Sequence, residues 1–574
     1  MRALASIGAA ALALTLPACS PSSTQTPASN NGAGEGPPPF QEVAAQAGLT
    51  FTHFAAASDA YHVPEIMGAG VALLDLDGDG DLDAYLVQGA LSPNGDDTVE
   101  ASTPDRPLRN TLWRNESTPD GLRFADVTDT VGGGDPGFGM GVATGDIDGD
   151  GDTDLYVTNL GDNTLYRNDD GRLHAVADAG GAQDPRWSTS ASFCDYDGDG
   201  DLDLYVANYL GYSYAEDLRC TDTAGLPDYC SPGSYPPVSD SLFRNDGQGA
   251  FTDVSETTRI ATLPGAGLGV ACLDANGDGQ RDFYVANDGM ANRLWQQGED
   301  GTFEDVGLTS GTAYNAAGAP EAGMGIVAED IDQDGDTDLF ITHLNGESNT
   351  LYRNEGSLFA DMTGPAGLGP ASLAYTGFGA VAIYADDDDL SDLFIANGAV
   401  ARGAGRTGRL TAYAQANQVF RGNGEGRFAL LPQGPGDDVR ISRGVAKGDL
   451  DGDGDEDLIV LNNHGPAALL QRRGKPAGES MHVIALRAAP GQAVAGARLV
   501  FDCSPASQIH RQVRRDGSYL SASAPRVHVR GCGARADITV TWLDGRQERF
   551  RQVPAGATAI RWLTQGDGQE IQQP

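Results

Sequence analysis

The segment Asp75-Leu-Asp77-Gly-Asp79-Gly-Asp81-Leu-Asp83, followed by Ala84-Tyr-Leu-Val87, decides how the 574-residue chain is read. Acids take the odd positions, glycines take the tight ones, and an apolar run with strand character follows. Copies begin at Asp146, Asp195, Asp274, Asp330, Tyr384 and Asp449, and end at Asp154, Asp203, Asp282, Asp338, Asp392 and Asp457, with 49 to 79 residues between starts. Self-similarity at that period marks a repeated supersecondary unit. Small residues precede the loop, as in Gly68-Ala-Gly-Val71, Gly139-Met-Gly-Val142 and Gly323-Met-Gly-Ile326, so the loop is the turn of a β-hairpin. A third strand follows, seen in Asn163-Thr-Leu-Tyr-Arg-Asn168 and Asn349-Thr-Leu-Tyr-Arg-Asn354, and then a fourth, as in Phe251-Thr-Asp-Val254. Four strands repeated seven times predict an all-β chain whose main body is a seven-bladed β-propeller. A fourth-strand motif, Phe40-Gln-Glu-Val43, precedes the first loop, whereas none follows Ala468-Leu-Leu470 in the last repeat. The N-terminal strand is therefore expected to complete the last blade and remove an open edge, which favours a ring over an open solenoid.

The charge is concentrated in these loops. The chain has 37 Lys+Arg against 81 Asp+Glu, a net charge of −44, and 34 of the acids lie in the seven nine-residue windows. With 40 % hydrophobic residues the chain has the means to build a core, so global disorder is excluded. Nucleic acid is excluded as a partner too, because binding phosphate backbones takes clustered Lys and Arg.

Carboxylates at alternating positions of a tight, Gly-containing loop converge on one point, which suits a hard cation with oxygen ligands. The candidate ligands are positions 1, 3, 5 and 9. In the first three loops these are Asp75, Asp77, Asp79 and Asp83; Asp146, Asp148, Asp150 and Asp154; and Asp195, Asp197, Asp199 and Asp203. In the fourth, fifth and seventh they are Asp274, Asn276, Asp278 and Asp282; Asp330, Asp332, Asp334 and Asp338; and Asp449, Asp451, Asp453 and Asp457. The sixth has Tyr384 at position 1 and keeps Asp386, Asp388 and Asp392, making it the weakest. An EF-hand requires Glu at position 12, and here position 12 is Leu86, Val157, Val206, Val285, Ile341, Ile395 or Val460. The loops resemble the FG-GAP, or VCBS, repeats of integrin-type propellers, and that resemblance implies Ca²⁺ between the inner strands of a blade. About six ions are expected, and they should stabilise the folded ring.

At the N-terminus, Arg2 precedes an apolar run too short to cross a bilayer, ending in Leu16-Pro17-Ala18-Cys19. That end resembles the lipobox of bacterial lipoproteins and implies cleavage and lipidation at Cys19. Ser20 in place of Asp favours the outer membrane by the same resemblance, so residues 1–18 read as leader and 19–39 as a flexible tether. Six cysteines then remain in an oxidising compartment. Cys220 with Cys230 and Cys503 with Cys532 are expected bridges, whereas for Cys194 and Cys272 a bridge and buried thiols remain equally open.

From about residue 480 the chain turns basic, with 15 basic and 8 acidic residues over 471–574. Alternating runs such as Val483-Ile-Ala-Leu486 and Ile538-Thr-Val-Thr-Trp542 predict a small β-sandwich or barrel at 480–563, after the propeller at 40–474 and before a tail at 564–574. The segments Gly496-Ala-Arg-Leu-Val500, Gln512-Val-Arg-Arg-Asp-Gly-Ser-Tyr-Leu-Ser521 and Val540-Thr-Trp-Leu-Asp-Gly545 resemble the ASPIC and UnbV domain. Together with Tyr61-His-Val-Pro-Glu65 and Tyr229-Cys230-Ser-Pro232, the architecture resembles the bacterial branch of the cartilage acidic protein family, whose animal members are extracellular calcium-binding proteins.

HExxH, GxSxG and P-loop signatures are absent from the sequence. His53, His62 and Glu65 lie just ahead of the first loop, where a structural blade-entry role outweighs a site in the propeller funnel. The favoured expectation is an exported, lipid-anchored, calcium-binding scaffold for a protein or glycan, and not an enzyme. The alternative is a hydrolase, or an accessory subunit of an oxidative or secondary-metabolic enzyme. The acidic propeller beside a basic domain also predicts that the two dock.

Overall fold

The computed structural model describes residues 39–571 apart from 94–106, 119–120, 387, 389, 403–410, 433–438, 474–480, 490, 505–506 and 557–559. The expected leader, Cys19 and nearly all of the tether lie outside the described residues. Seven four-stranded antiparallel sheets account for residues 40–472. Their first strands are Val71–Leu74, Gly139–Gly145, Ser188–Cys194, Gly267–Leu273, Ile326–Glu329, Gly377–Ile383 and Ser442–Gly448. Each first strand packs against that of the next sheet, and Ser442–Gly448 packs against Val71–Leu74, which closes the ring. Phe40–Glu42 pairs with Ala468–Arg472, Phe40 opposite Arg472, and supplies the outer strand of the last sheet.

The first two strands of each blade are buried on both faces, and for this reason they read as continuous apolar or small-residue runs. Small residues at the axis are a steric requirement: a Cβ on Gly70 would stand 1.9 Å from the Leu520 carbonyl oxygen, and one on Gly325 would stand 2.1 Å from that of Phe378.

Among the described residues the C-terminal region is a two-sheet sandwich with no closed barrel. Three strands, Val527–Val529, His482–Arg487 and Arg561–Thr564, face five, Ser507–Gln512, Arg498–Ser504, Arg535–Thr541, Gln547–Pro554 and Gln569–Glu570. Leu499, Phe501, Ile538, Val540 and Ile484 fill the space between them. The expected tail is corrected here: Gln569–Glu570 pairs with Glu548 and Arg549, so the sheet's own edge extends past residue 563.

The sandwich docks on the propeller, as the charge asymmetry predicts, but it also enters the ring, which the sequence reading lacks. Residues 516–522 enter the propeller axis and touch every blade. Ala522 exchanges backbone hydrogen bonds with Val71 and Leu73, the Leu520 carbonyl accepts from Val142 N, and Ser518 pairs with Ile326. Leu520 N donates to Ser190 Oγ, Cys272 N donates to the Asp516 carboxylate, and Ser518 Oγ donates to the Val445 carbonyl. The Tyr519 ring meets Phe378 edge-on at 4.8 Å, and its hydroxyl donates to the Met67 carbonyl. Ser518 and Leu520 both hold φ near +56°, a left-handed conformation costly for residues with a Cβ and tolerated when the surroundings over-determine it.

Three disulfides are present. Cys194–Cys272 joins the first strands of neighbouring blades, Cys220–Cys230 closes an insertion within the third blade, and Cys503–Cys532 lies in the sandwich.

Candidate metal centre

The acidic loops connect the first two strands of each blade and share one hydrogen-bond pattern. At position 9, one oxygen of Asp83, Asp154, Asp203, Asp282, Asp338, Asp392 and Asp457 accepts from the backbone N–H of position 2. The other accepts from the N–H of the residue ending the third strand. Position 9 therefore clamps the hairpin to its neighbour, even in the degenerate sixth loop. Position 5 accepts from the N–H of position 7 in all seven loops. Position 1, wherever it is Asp, accepts from the glycine at position 6. That glycine holds φ between 90° and 101°, which explains its recurrence at this place.

In five loops these bonds aim carboxylate oxygens at one point. Oxygens of Asp75, Asp77 and Asp79 lie within 4.8 Å of one another, as do those of Asp146, Asp148 and Asp154; Asp195, Asp197 and Asp199; Asp330, Asp332 and Asp338; and Asp449, Asp451 and Asp453. Among the described residues, the fourth and sixth loops bring no such trio together. Asp274, Asn276, Asp278 and Asp282 remain on one loop, but Asn276 and Gln280 replace acids there, and in the sixth loop Tyr384 offers no carboxylate at position 1.

The electrostatics of the five fit a cation. Burial, reinforced by neighbouring carboxylates, pushes Asp146, Asp195 and Asp330 up to about 6 and Asp449 to about 7. At position 9, burial raises Asp83 to about 7, Asp154 to about 8 and Asp203 to about 9. Negative charge is thus held where it is costly, and a divalent ion relieves both burial and mutual repulsion. Asp148 Oδ1 and Asp332 Oδ1, at position 3, are buried without a hydrogen bond, which leaves them free to ligate. An all-oxygen donor set of this kind fits Ca²⁺, with side chains from positions 1 and 3 and from position 5 or position 9.

Sequence reasoning missed the residue that ties one loop to the next. The last Asn of the third strand donates its amide to the position-2 carbonyl of the preceding blade: Asn115 to Leu450, Asn168 to Leu76, Asn245 to Ile147 and Asn354 to Ala275. The first of these bonds joins the first blade to the seventh. Arg472 does the same work in the seventh blade, donating to the carbonyls of Tyr384 and Asp386. The signal was the recurring Arg-Asn at the end of that strand.

The basic sandwich docks on the loop end of the ring. Arg526 donates to the Gly80 carbonyl at 2.5 Å, His528 Nδ1 lies 3.2 Å from the Gly454 carbonyl, Arg530 pairs with Asp455, and Arg498 pairs with Asp274. A cavity of about 330 Å³ between the two bodies is lined by Glu329, Asp330, Glu456, Lys447, Arg511 and Arg526, so both signs of charge face each other across it.

At the other end, His53, His62 and Glu65 are fully buried. The Glu65 carboxylate accepts from Ser58 Oγ, from His62 N and from the Tyr229 hydroxyl, and His62 Nδ1 lies 2.9 Å from Asp217. These contacts fasten the blade entry to the Cys220–Cys230 insertion.

Family models match the first five loops and the sandwich. The FG-GAP-like repeat model matches residues 75–157, 146–206, 222–285 and 274–341, and the ASPIC and UnbV model matches 488–569. The chain carries FG-GAP-like repeats and an ASPIC and UnbV domain. The homologues of this chain include human cartilage acidic protein 1, 23 % identical over 532 residues that cover 89 % of this chain and 74 % of the human one. The mouse protein is 24 % identical over 503 residues, covering 84 % of this chain and 71 % of its own. Among solved structures, YCF48 bound to D1 peptide aligns at TM-score 0.40 and 9 % identity over 76 % of this chain and 97 % of its own. An Agrocybe aegerita lectin studied for recognition of non-reducing terminal N-acetylglucosamine aligns at TM-score 0.35 and 14 % identity over 61 % and 82 %. A propeller joined to this domain fits a binding scaffold, and its disulfides fit an oxidising, extracytoplasmic compartment.

Proposed function

We propose that the protein is an exported, calcium-stabilised propeller scaffold, anchored to the envelope through a lipid on Cys19, that binds a protein or glycan. The observation that carries the calcium part is the five-fold recurrence of three carboxylates within 4.8 Å, joined in three of the loops by a buried oxygen without a hydrogen bond, on Asp75, Asp148 and Asp332. Calcium at those loops fixes the hairpins that set the blade ends, so the surface offered to a partner is rigid before binding and loses less freedom on association. Of the chain's own groups, positions 1 and 3 hold the ion with position 5 or, in the second and fifth loops, position 9; position 9 also holds the hairpin, and the third-strand asparagines hold each hairpin to the next.

The lipid anchor follows from the Leu16-Pro17-Ala18-Cys19 end of the leader, and the outer membrane from Ser20. The test is capture from solubilised envelope with the full chain, in calcium and in excess chelator, alongside Cys19→Ala to read anchoring. The expected result is a protein or glycan retained in calcium and released by chelator, with the variant moving to the soluble fraction. A partner retained equally in chelator contradicts the calcium-dependent scaffold, and an unchanged membrane fraction for the variant contradicts the anchor.

A further inference from the structure

The seven loops share their backbone pattern but differ in what stands beside the position-1 residue. Asp274 has a buried side chain, and its oxygens accept from Gly277 N at 2.8 Å and Gly279 N at 3.0 Å, as Asp146, Asp195 and Asp449 accept from their own glycines. To this Asp274 adds a guanidinium: Arg498, on a strand of the C-terminal sandwich, donates Nη2 to Asp274 Oδ2. A second arginine stands close. Arg281, at position 8 of the same loop, reaches the sandwich at the Gly496 carbonyl, 3.1 Å away. Positions 3 and 7, acidic in the first, second, third, fifth and seventh loops, are Asn276 and Gln280 here. This loop thus carries three carboxylates where those five carry at least five, and two arginines flank its first ligand.

The sixth loop has lost its metal set in another way. Its position 1 is Tyr384, whose hydroxyl accepts from Arg511 at 2.8 Å, and Asp386 pairs with Arg421. Removing an arginine there restores no position-1 carboxylate. In the fourth loop Asp274 keeps its place, Asp278 and Asp282 remain and Asn276 offers an amide oxygen, so the guanidinium on Asp274 adds a positive charge against a second cation to a set already poorer in carboxylates.

We propose that the fourth loop is an arginine latch: Arg498 takes the place of the metal on Asp274 and ties the C-terminal sandwich to the propeller. The inference rests on the calcium reading of the other five loops. A guanidinium and a divalent ion sharing one buried carboxylate repel each other, so each lowers the affinity of the other, and the effect is reciprocal. The full chain accordingly takes five calcium ions, and Arg498 sets that number. The sandwich is then fastened to the loop end by a charge that a metal would otherwise displace.

The experiment counts ions on the full chain, by elemental analysis after gel filtration from calcium buffer at moderate salt. Wild type is expected to carry five. Arg498→Met keeps most of the aliphatic stem and removes the charge, and should carry six. Arg498→Lys keeps a cation and should stay at five, as should Arg421→Ala, whose loop lacks the position-1 carboxylate. Asp449→Asn should fall to four. Six ions on wild type, or five on a folded Arg498→Met chain with its disulfides intact, overturns the latch alone. No ions on wild type overturns the calcium reading beneath it. If Arg498→Met does not fold, Arg498→Gln gives the same readout, with six supporting the latch and five overturning it.

Discussion

The loop end of the propeller and its axis are built on opposite principles. The loop end is charged and repetitive: each hairpin solves its own geometry with residues nine or fewer positions apart, and one asparagine bond passes the solution to the next blade. The axis is apolar and used once. It is filled by Tyr519 and Leu520, which pack with Met67, Met140, Leu268, Met324 and Phe378 from residues more than a hundred positions away. Loss of one loop leaves its neighbours standing, whereas loss of the plug removes a contact from every blade. The lesson is that the ring has distributed strength at its rim and concentrated strength at its centre.

Breaking the centre should have the largest effect. Tyr519→Ala removes the ring that meets Phe378 and the hydroxyl bonded to the Met67 carbonyl, and should cost about 3–5 kcal/mol in denaturant unfolding. An effect below about 1 kcal/mol means that the axis is not where the blades are held. Gly70→Ala attacks the same place from the propeller side, because its Cβ would lie 1.9 Å from the Leu520 carbonyl oxygen. It should cost about 3 kcal/mol and raise proteolysis around residue 520; an unchanged cleavage pattern argues against the plug.

Breaking the rim should cost less per site. Asn168→Ala leaves the buried carbonyls of Leu76 and Thr153 without their donor, for about 1–2 kcal/mol. The same truncation at Asn245 should cost a similar amount, and strongly unequal values would show that the blades are not equivalent.

A separate effect is a slope with pH. Burial, with His464 and Arg443 nearby, depresses His53 to about 3 from an ordinary value near 6.5. A depressed folded-state value means that the unfolded chain takes up the proton first. This contribution to stability is complete above pH 6.5 and is lost as pH falls toward 3, by at most about 1.4 kcal/mol per pH unit. His53→Gln should flatten the decline between pH 6 and 4 in thermal unfolding, and an unaltered slope assigns the acid sensitivity to other groups.

The same contrast explains what the sequence made legible. Positions 1 to 9 of each loop, the four-strand repeat and the return of Phe40 to the last blade are local or repeated features, and a pattern seen seven times is hard to mistake. Position 9 reads in sequence as a ligand, which the trios of the second and fifth loops keep, but its second part as a clamp on two backbone N–H groups has no signal in the sequence. Asn276 and Gln280 carry amide oxygens, which also coordinate calcium, so in sequence the fourth loop resembles the others. What sets the fourth loop apart is Arg498, over two hundred residues downstream, and no local rule points to it. The plug was invisible for the same reason. Gly517-Ser518-Tyr519-Leu520 reads only as part of a segment resembling the ASPIC and UnbV domain, and docking of a basic sandwich on an acidic rim brings it to the axis.

The central claim is that the acidic rim is a set of calcium sites that hold the ring. Thermal unfolding of the full chain in calcium and in excess chelator tests it most directly. Each ion at a hundredfold excess over its Kd adds about 2.7 kcal/mol, so chelation should lower the Tm by on the order of 10 °C, and added calcium should restore it. Superimposable curves in calcium and in chelator would contradict the account.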